Sequence, residues 1–212
     1  MRVLLASTSP ARLMLLRQAG IEPETLAPDV DEEAVIAAVE RVEGRLPPAD
    51  HVLLLARRKA ADVAARAAAE GFTGIVIGGD SMFEIDGHIL GKPYTPDVAA
   101  GRWHGMRGRT GVLHSGHSVY LLSPDAEPAE AHAVAEASVS FTADMTDDEI
   151  DAYVATGEPL QVAGAFTIDS LGGPFIERVE GDPSTVVGMS LSTVRRLVRE
   201  LGIAWPSLWA RS

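Results

Sequence analysis

"LLASTSPARLMLLRQAG", residues 4–20, passes from an apolar run into a helix pattern through three consecutive hydroxyl residues. Val3 to Ala6 reads as a short buried strand, Ser9 stands where an N-cap belongs, and Pro10 takes the first helical position. Leu13, Leu16 and Arg17 follow at helical spacing, and Gly20 stops the helix. A strand feeding directly into a helix opens an α/β unit, so this stretch points to the fold class. Ser7, Thr8, Ser9 and Arg12 crowd the junction. Two readings are open there. One is a capped helix with a solvated arginine. The other is a phosphate cradle, in which unpaired N–H groups, hydroxyls and a guanidinium grip an anion.

Outward from that junction the chain continues to alternate. "DVDEEAVIAAVE" (29–40) is an acidic-headed helix, and "LPPAD" (46–50) breaks the chain before an alanine-rich helix over residues 51–71. "GIVIGGDSMFEIDGHILGKP" (74–93) reads as a buried strand and a hairpin turning on Asp86-Gly87 in type I′ geometry. A helix over 95–106 and strands over 111–123 and 137–145 follow. Thr146 and Glu149 form a capping box at the head of a helix over 146–157. "FIERVEG" is a further strand, and residues 191–202 an amphipathic helix.

Composition bounds the function. The 212 residues are 46% hydrophobic and 23% charged, ordinary for a globular α/β chain, with no break marking a second independent domain. The absence of cysteine removes disulfides, thiolate metal sites and a thiol nucleophile. A net charge of −12 argues against nucleic-acid or anionic-membrane partners. No apolar run reaches the length of a membrane span, and MRVLLAST is too short and too soon polar for a signal peptide. A cytoplasmic protein is expected. A small anionic ligand is compatible with this acidity, and a phosphate ligand would bring a divalent cation with it.

Several residues stand out as candidates. Asp80 follows Ile75-Val76-Ile77 and two glycines, at the strand end where α/β proteins collect ligands. Counting outward from the hairpin turn sets Ser81 opposite Lys92, and a bulge at Gly78-Gly79 would re-aim Asp80 toward that lysine. Asp31, Glu32 and Glu33 stabilise a helix dipole, or one of them supplies hard oxygen to Mg²⁺ or Mn²⁺. Lys59, read by itself, is a solvated lysine. "GMRGRTG" lacks P-loop spacing, and His114 and His117 read as surface side chains of a strand.

Five segments in order resemble the Maf family of nucleoside triphosphate pyrophosphatases, whose fold is related to the inosine-triphosphatase type. "LLASTSPARLMLLRQAGI" looks like the family's S-x-S-P-x-R opening. "VDEE" and "LARRKA" fall where its acidic and lysine segments stand, and "GGDSMFEIDGHILGKP" is similar to its A-D-T segment with a following K-P. "YVATGEPLQVAGAFTIDSLGGPFIERVEGDPSTVVGMSL" tracks its C-terminal signature. The resemblance implies one domain over residues 1–212, a twisted mixed α/β sheet in two lobes around a central cleft, and a homodimer. It implies hydrolysis of nucleoside triphosphates to the monophosphate and pyrophosphate, with Asp80 as general base and Mg²⁺ or Mn²⁺ held by Glu32 and Asp80. Lys59 and Lys92 become phosphate-facing lysines, and Ser7 and Arg12 the phosphate cradle. The alternative is a nucleotide-binding regulator of cell division without turnover. Three departures from the family pattern stand in the sequence: Ser81 for its threonine, Gln161-Val162 for its Asp-Lys, and Asp169 for its glutamine. Ser81 and Asp169 thus fall on substrate-contacting positions. A carboxylate only accepts hydrogen bonds, which suits guanine's adjacent donors and opposes thymine or uracil.

Overall fold

The computed structural model describes residues 1–210. Its elements are β1 (Val3–Ala6), α1 (Pro10–Gln18), β2 (Glu24–Thr25), α2 (Glu32–Glu43), α3 (Pro48–Ala69), β3 (Gly74–Ile85) and β4 (His88–Leu90). They continue as α4 (Pro96–Met106), β5 (Thr110–Ser123), β6 (Ala126–Phe141), α5 (Asp147–Ala155), β7 (Ile176–Gly181), α6 (Pro183–Val187) and α7 (Leu191–Glu200). One seven-stranded sheet takes the order β2-β1-β3-β5-β6-β7, with β4 paired to β3. The mixed α/β sheet expected from the sequence is present. β1 is buried along its whole length and lies parallel to both β2 and β3, as a short continuous apolar strand with helical crossovers should. β4 on β3 and β7 on β6 are antiparallel. Side-chain pairs Thr110–Ser140, His114–Glu136 and Ser118–Glu130 link β5 to β6 with one index rising as the other falls, so these two are antiparallel as well.

The chain divides into two compact units. The first comprises Met1–Asp80, Ser115–Ala135 and the segment from Gly188 onward. Its apolar core joins Leu4 and Ala6 of β1 and Val76 of β3 to Val63, Ala64 and Ala67 of α3. α3 lies unusually close to the sheet. A Cβ on Gly78 would stand 2.7 Å from both the Ala56 carbonyl oxygen and the Ala60 Cβ, and one on Gly116 2.2 Å from the Val52 carbonyl oxygen. Val52, Ala56 and Ala60 form one stripe of the helix, so two glycines on adjacent strands receive that stripe. The β1–β3 register runs unbroken through Ala6↔Gly78, and Gly78 serves the close approach of α3.

The second unit, Ser81–His114 and Glu136–Val187, holds four of the chain's five phenylalanines. Phe83 and Phe141 each meet Phe166 edge-on at 5.0 Å, and Trp103 meets Phe141 and Tyr153 at 5.4 and 5.3 Å. Such pairs add about 0.5–1.5 kcal/mol each beyond the area they bury. The Trp103 indole N–H donates to the Ala165 carbonyl at 2.8 Å, which satisfies its polar atom inside the core. The capping box of α5 is formed as read, with Thr146 and Glu149 bonding reciprocally.

Three expectations are corrected. The hairpin turns at Asp86-Gly87 with positive φ at both residues and pairs Ile85 with His88, but the ladder ends at Phe83↔Leu90. Beyond it Pro93 offers no N–H, and Tyr94 takes φ 62° and donates its N–H to Leu160, so Lys92 never reaches a register position opposite Ser81. β6 begins eleven residues before the strand expected at 137, because pairing with β5 recruits the alanine- and glutamate-rich stretch that has little strand propensity of its own. His114 and His117 are buried, since β5 is covered on both faces through its middle.

Candidate functional site

At the head of α1 the capping reading holds for Ser9, whose hydroxyl accepts from the Arg12 N–H at 3.4 Å. Ser7, at the end of β1, is buried, and its hydroxyl accepts from the Ser9 N–H at 3.1 Å and from the Arg12 guanidinium at 3.3 Å. Arg12 is no solvated helix residue. Its Nε donates to the Gly188 carbonyl at 2.9 Å, and burial lowers its pKa while the nearby Asp80 and Glu32 carboxylates pull it upward. A guanidinium in those surroundings keeps its charge. The helix N-terminus and this cation therefore share one place in the first unit.

Beside them stands an ion triad. Lys59, on the buried face of α3, sets its Nζ 2.7 Å from Asp80 Oδ1 and 2.8 Å from Glu32 Oε1. Asp80 lies at the far end of the buried part of β3, and the Ser115 hydroxyl donates to its main-chain carbonyl at 3.3 Å. Glu32 opens α2 directly after its N-cap Asp31, so the acidic run both caps the helix and delivers one carboxylate to Lys59. Two carboxylates on one ammonium make a charge-assisted network with net negative charge, next to the positive Arg12. Among the described residues no group of three or more His, Asp or Glu side chains is placed to hold a metal ion. The donors present are hard carboxylate oxygens of Asp80 and Glu32, which fit Mg²⁺ or Mn²⁺ completed by water and ligand oxygens rather than by a protein cage.

Of the residues singled out in the sequence, Ser7, Arg12, Glu32, Lys59 and Asp80 come together in the first unit. Ser81, Lys92 and Asp169 belong to the second unit, where Ser81 is half-buried and Lys92 and Asp169 are exposed. Two further residues hold positions that the sequence reading did not give them. His117 is fully buried, and its Nε2 accepts from the Ser190 N–H at 2.9 Å; a main-chain N–H has no acceptor form, so Nε2 carries no proton. The Gly188 and Ser190 that meet Arg12 and His117 lie over 70 residues away in sequence, beyond any local signal. Glu158 is the other. Its carboxylate accepts five hydrogen bonds within the second unit.

Among the described residues, no helix is long and apolar enough to cross a membrane. Comparison with known proteins gives full-length relatives. A protein of Leifsonia xyli subsp. xyli named nucleoside triphosphate pyrophosphatase is 60% identical over all of this chain and 98% of its own length. Proteins of the same name from Salinispora tropica and Rhodococcus jostii are 52% and 50% identical, over 100% and 98% of this chain and 88% and 96% of theirs. Among solved structures, the Staphylococcus aureus Ham1 protein matches 68% of this chain and 73% of its own at 11% identity and a TM-score of 0.32, too slight a likeness to argue from. The profile of the Maf-like proteins matches residues 2–201, and with it the chain belongs to the Maf-like protein family.

Proposed function

We propose that this chain hydrolyses nucleoside triphosphates to the nucleoside monophosphate and pyrophosphate. The observation that carries the reading is the Lys59 ammonium spanning Asp80 and Glu32 at 2.7 and 2.8 Å beside Arg12 and the head of α1. Relatives named for this activity, 50–60% identical over nearly the whole chain, support it.

In this reading the Arg12 guanidinium, at the positive end of the α1 dipole, binds the triphosphate. Lys59 holds Oδ1 of Asp80, which leaves Oδ2 to accept a proton from water. The water oxygen bonds to the α-phosphorus as the bond to the bridging oxygen breaks, and that oxygen leaves with pyrophosphate. Asp80 keeps the proton until solvent removes it. Lys59 and Arg12 offset the charge that grows on the leaving group. Mg²⁺ or Mn²⁺, held by Glu32 and Asp80, would supply Lewis-acid neutralisation of the phosphate oxygens. Lys92 is assigned to the substrate as a phosphate contact, Ser81 as a further substrate contact and Asp169 to the base.

The test is Asp80→Asn. It abolishes pyrophosphate release while triphosphate binding, measured by calorimetry, stays detectable. Wild-type protein that turns over no nucleotide with either Mg²⁺ or Mn²⁺ refutes the proposal.

A further inference from the structure

We infer that Glu158 is the positioning residue for base selection: it winds the segment 167–172 into one shape and so presents Asp169 and Leu171 as the edge that reads the nucleobase. The inference rests on the functional reading above, and it starts from how this carboxylate is used. Oε1 accepts from the Tyr153 hydroxyl at 3.0 Å, the Thr167 hydroxyl at 2.5 Å and the Gly172 N–H at 3.1 Å. Oε2 accepts from the Ser170 hydroxyl at 2.7 Å and the Leu171 N–H at 3.2 Å. Four of these five donors come from a stretch of six residues that belongs to no strand or α-helix. Such a stretch has no ladder of its own to set its shape. The single carboxylate takes that place.

The consequence is a defined pattern of side-chain bonding. Asp169, Ser170 and Leu171 are all exposed, but the Thr167 and Ser170 hydroxyls and the Leu171 and Gly172 N–H groups are tied to Glu158, whereas the Asp169 and Leu171 side chains are not. Leu171 is 56% exposed, one of few large apolar side chains left in water. A heterocyclic base has an apolar face and an edge of N–H donors. Leu171 offers apolar surface to the one and Asp169 a carboxylate acceptor to the other. Two such groups read a base only if their spacing is held, and Glu158 bonds the Ser170 side chain between them and the Leu171 and Gly172 N–H groups.

Glu158→Gln tests this with little change in volume. A carboxamide has one oxygen, so whichever way it is turned its NH₂ faces either the Leu171 N–H or the Gly172 N–H, neither of which can become an acceptor. The experiment measures Kd for GTP, dTTP and inorganic tripolyphosphate by calorimetry, with Asp80→Asn in both proteins so that nothing is consumed. The expected result is that the GTP-to-dTTP preference falls by about tenfold or more toward unity while the tripolyphosphate Kd moves less than twofold. In parallel, amide hydrogen exchange at Leu171 and Gly172 should quicken at least tenfold, with Trp103 and Phe141 unchanged. Equal weakening of all three ligands would make Glu158 a general structural support and overturn the inference. An unchanged preference, equal binding of GTP and dTTP by the parent, or undiminished protection at Leu171 and Gly172 would overturn it too. Failure of the hydrolytic reading is seen separately, as absence of pyrophosphate release from the protein with Asp80 intact.

Discussion

Replacing Lys59 by methionine keeps most of the buried stem and removes the ammonium that two carboxylates share. The cost can be divided between them from their surroundings. Lys59 and Asp80 are 10% and 15% exposed, so their contact at 2.7 Å is largely shielded from water. Glu32 is 49% exposed, so its contact at 2.8 Å is screened. Stripping one partner from a buried pair costs about 3–5 kcal/mol, and an exposed pair contributes about 0–1 kcal/mol. Asp80 retains some access to water, which places Lys59→Met at about 2–3 kcal/mol of lost stability. Urea denaturation of a double-mutant cycle measures the partition. Coupling of Lys59→Met to Asp80→Asn should reach about 2 kcal/mol, and to Glu32→Gln less than about 0.5 kcal/mol. Turnover should fall by about 10²-fold, because Asp80 loses the group that orients it. Lys59→Met within about 0.5 kcal/mol of wild type, or equal coupling to both carboxylates, would refute the claim that Lys59 belongs chiefly to Asp80.

Three further outcomes are expected. Gly78→Ala drives a Cβ to 2.7 Å from the Ala56 carbonyl oxygen and the Ala60 Cβ, so α3 must lift; stability should fall by about 1–3 kcal/mol in urea, and kcat should fall with it. Burial opposes the charge on Glu158, but its hydrogen bonds from Thr167, Ser170, Leu171 and Tyr153 outweigh that and hold its pKa down from 4.5 to about 2. The folded form is the stronger acid, so this stabilisation is present above pH 4.5 and is lost as pH falls toward 2. Comparing wild type with Glu158→Gln by denaturation, the gap between them should close by about 1–2 kcal/mol across that window, after allowing for solvent screening. Finally, kcat/KM should favour GTP or 7-methyl-GTP over dTTP and UTP, and Asp169→Gln should move the ranking toward the pyrimidines by about 5- to 150-fold.

What the sequence made legible was local. The strand–cap–proline order at residues 3–10, the Asp86-Gly87 turn and the Thr146–Glu149 box are short-range patterns whose chemistry determines their geometry, and all three appear as read. Lys59 was legible only by resemblance, because nothing in an alanine-rich helix says that its lysine, rather than Arg57 or Arg58 beside it, is turned toward a carboxylate on a strand twenty-one residues later. The rest depended on partners distant in sequence. His114 reads as exposed until Glu84 and Glu136 are seen at 2.9 Å from its two ring nitrogens. Lys92 fits a strand register on paper, and the chain leaves that register because Tyr94 bonds to Leu160 instead. Glu158 sits in a Thr-Gly-Glu-Pro that reads only as part of a longer signature, and its bonding emerges only where residues 167–172 fold back on it.

The seating of α3 on Gly78 and Gly116 has a mechanical side. A helix laid over ordinary strands can creep along its axis, since flexible side chains yield on both surfaces. Here Val52, Ala56 and Ala60 drop into two gaps where the strands have no side chain, like teeth in a rack. The next equivalent seat lies a full turn away, about 5.4 Å along the axis, and intermediate stops collide with backbone. Lys59, one residue before Ala60, therefore has its root clamped, and only its four-carbon stem can swing. The reach of the ammonium is a short arc about a fixed point, and both Asp80 and Glu32 lie on it.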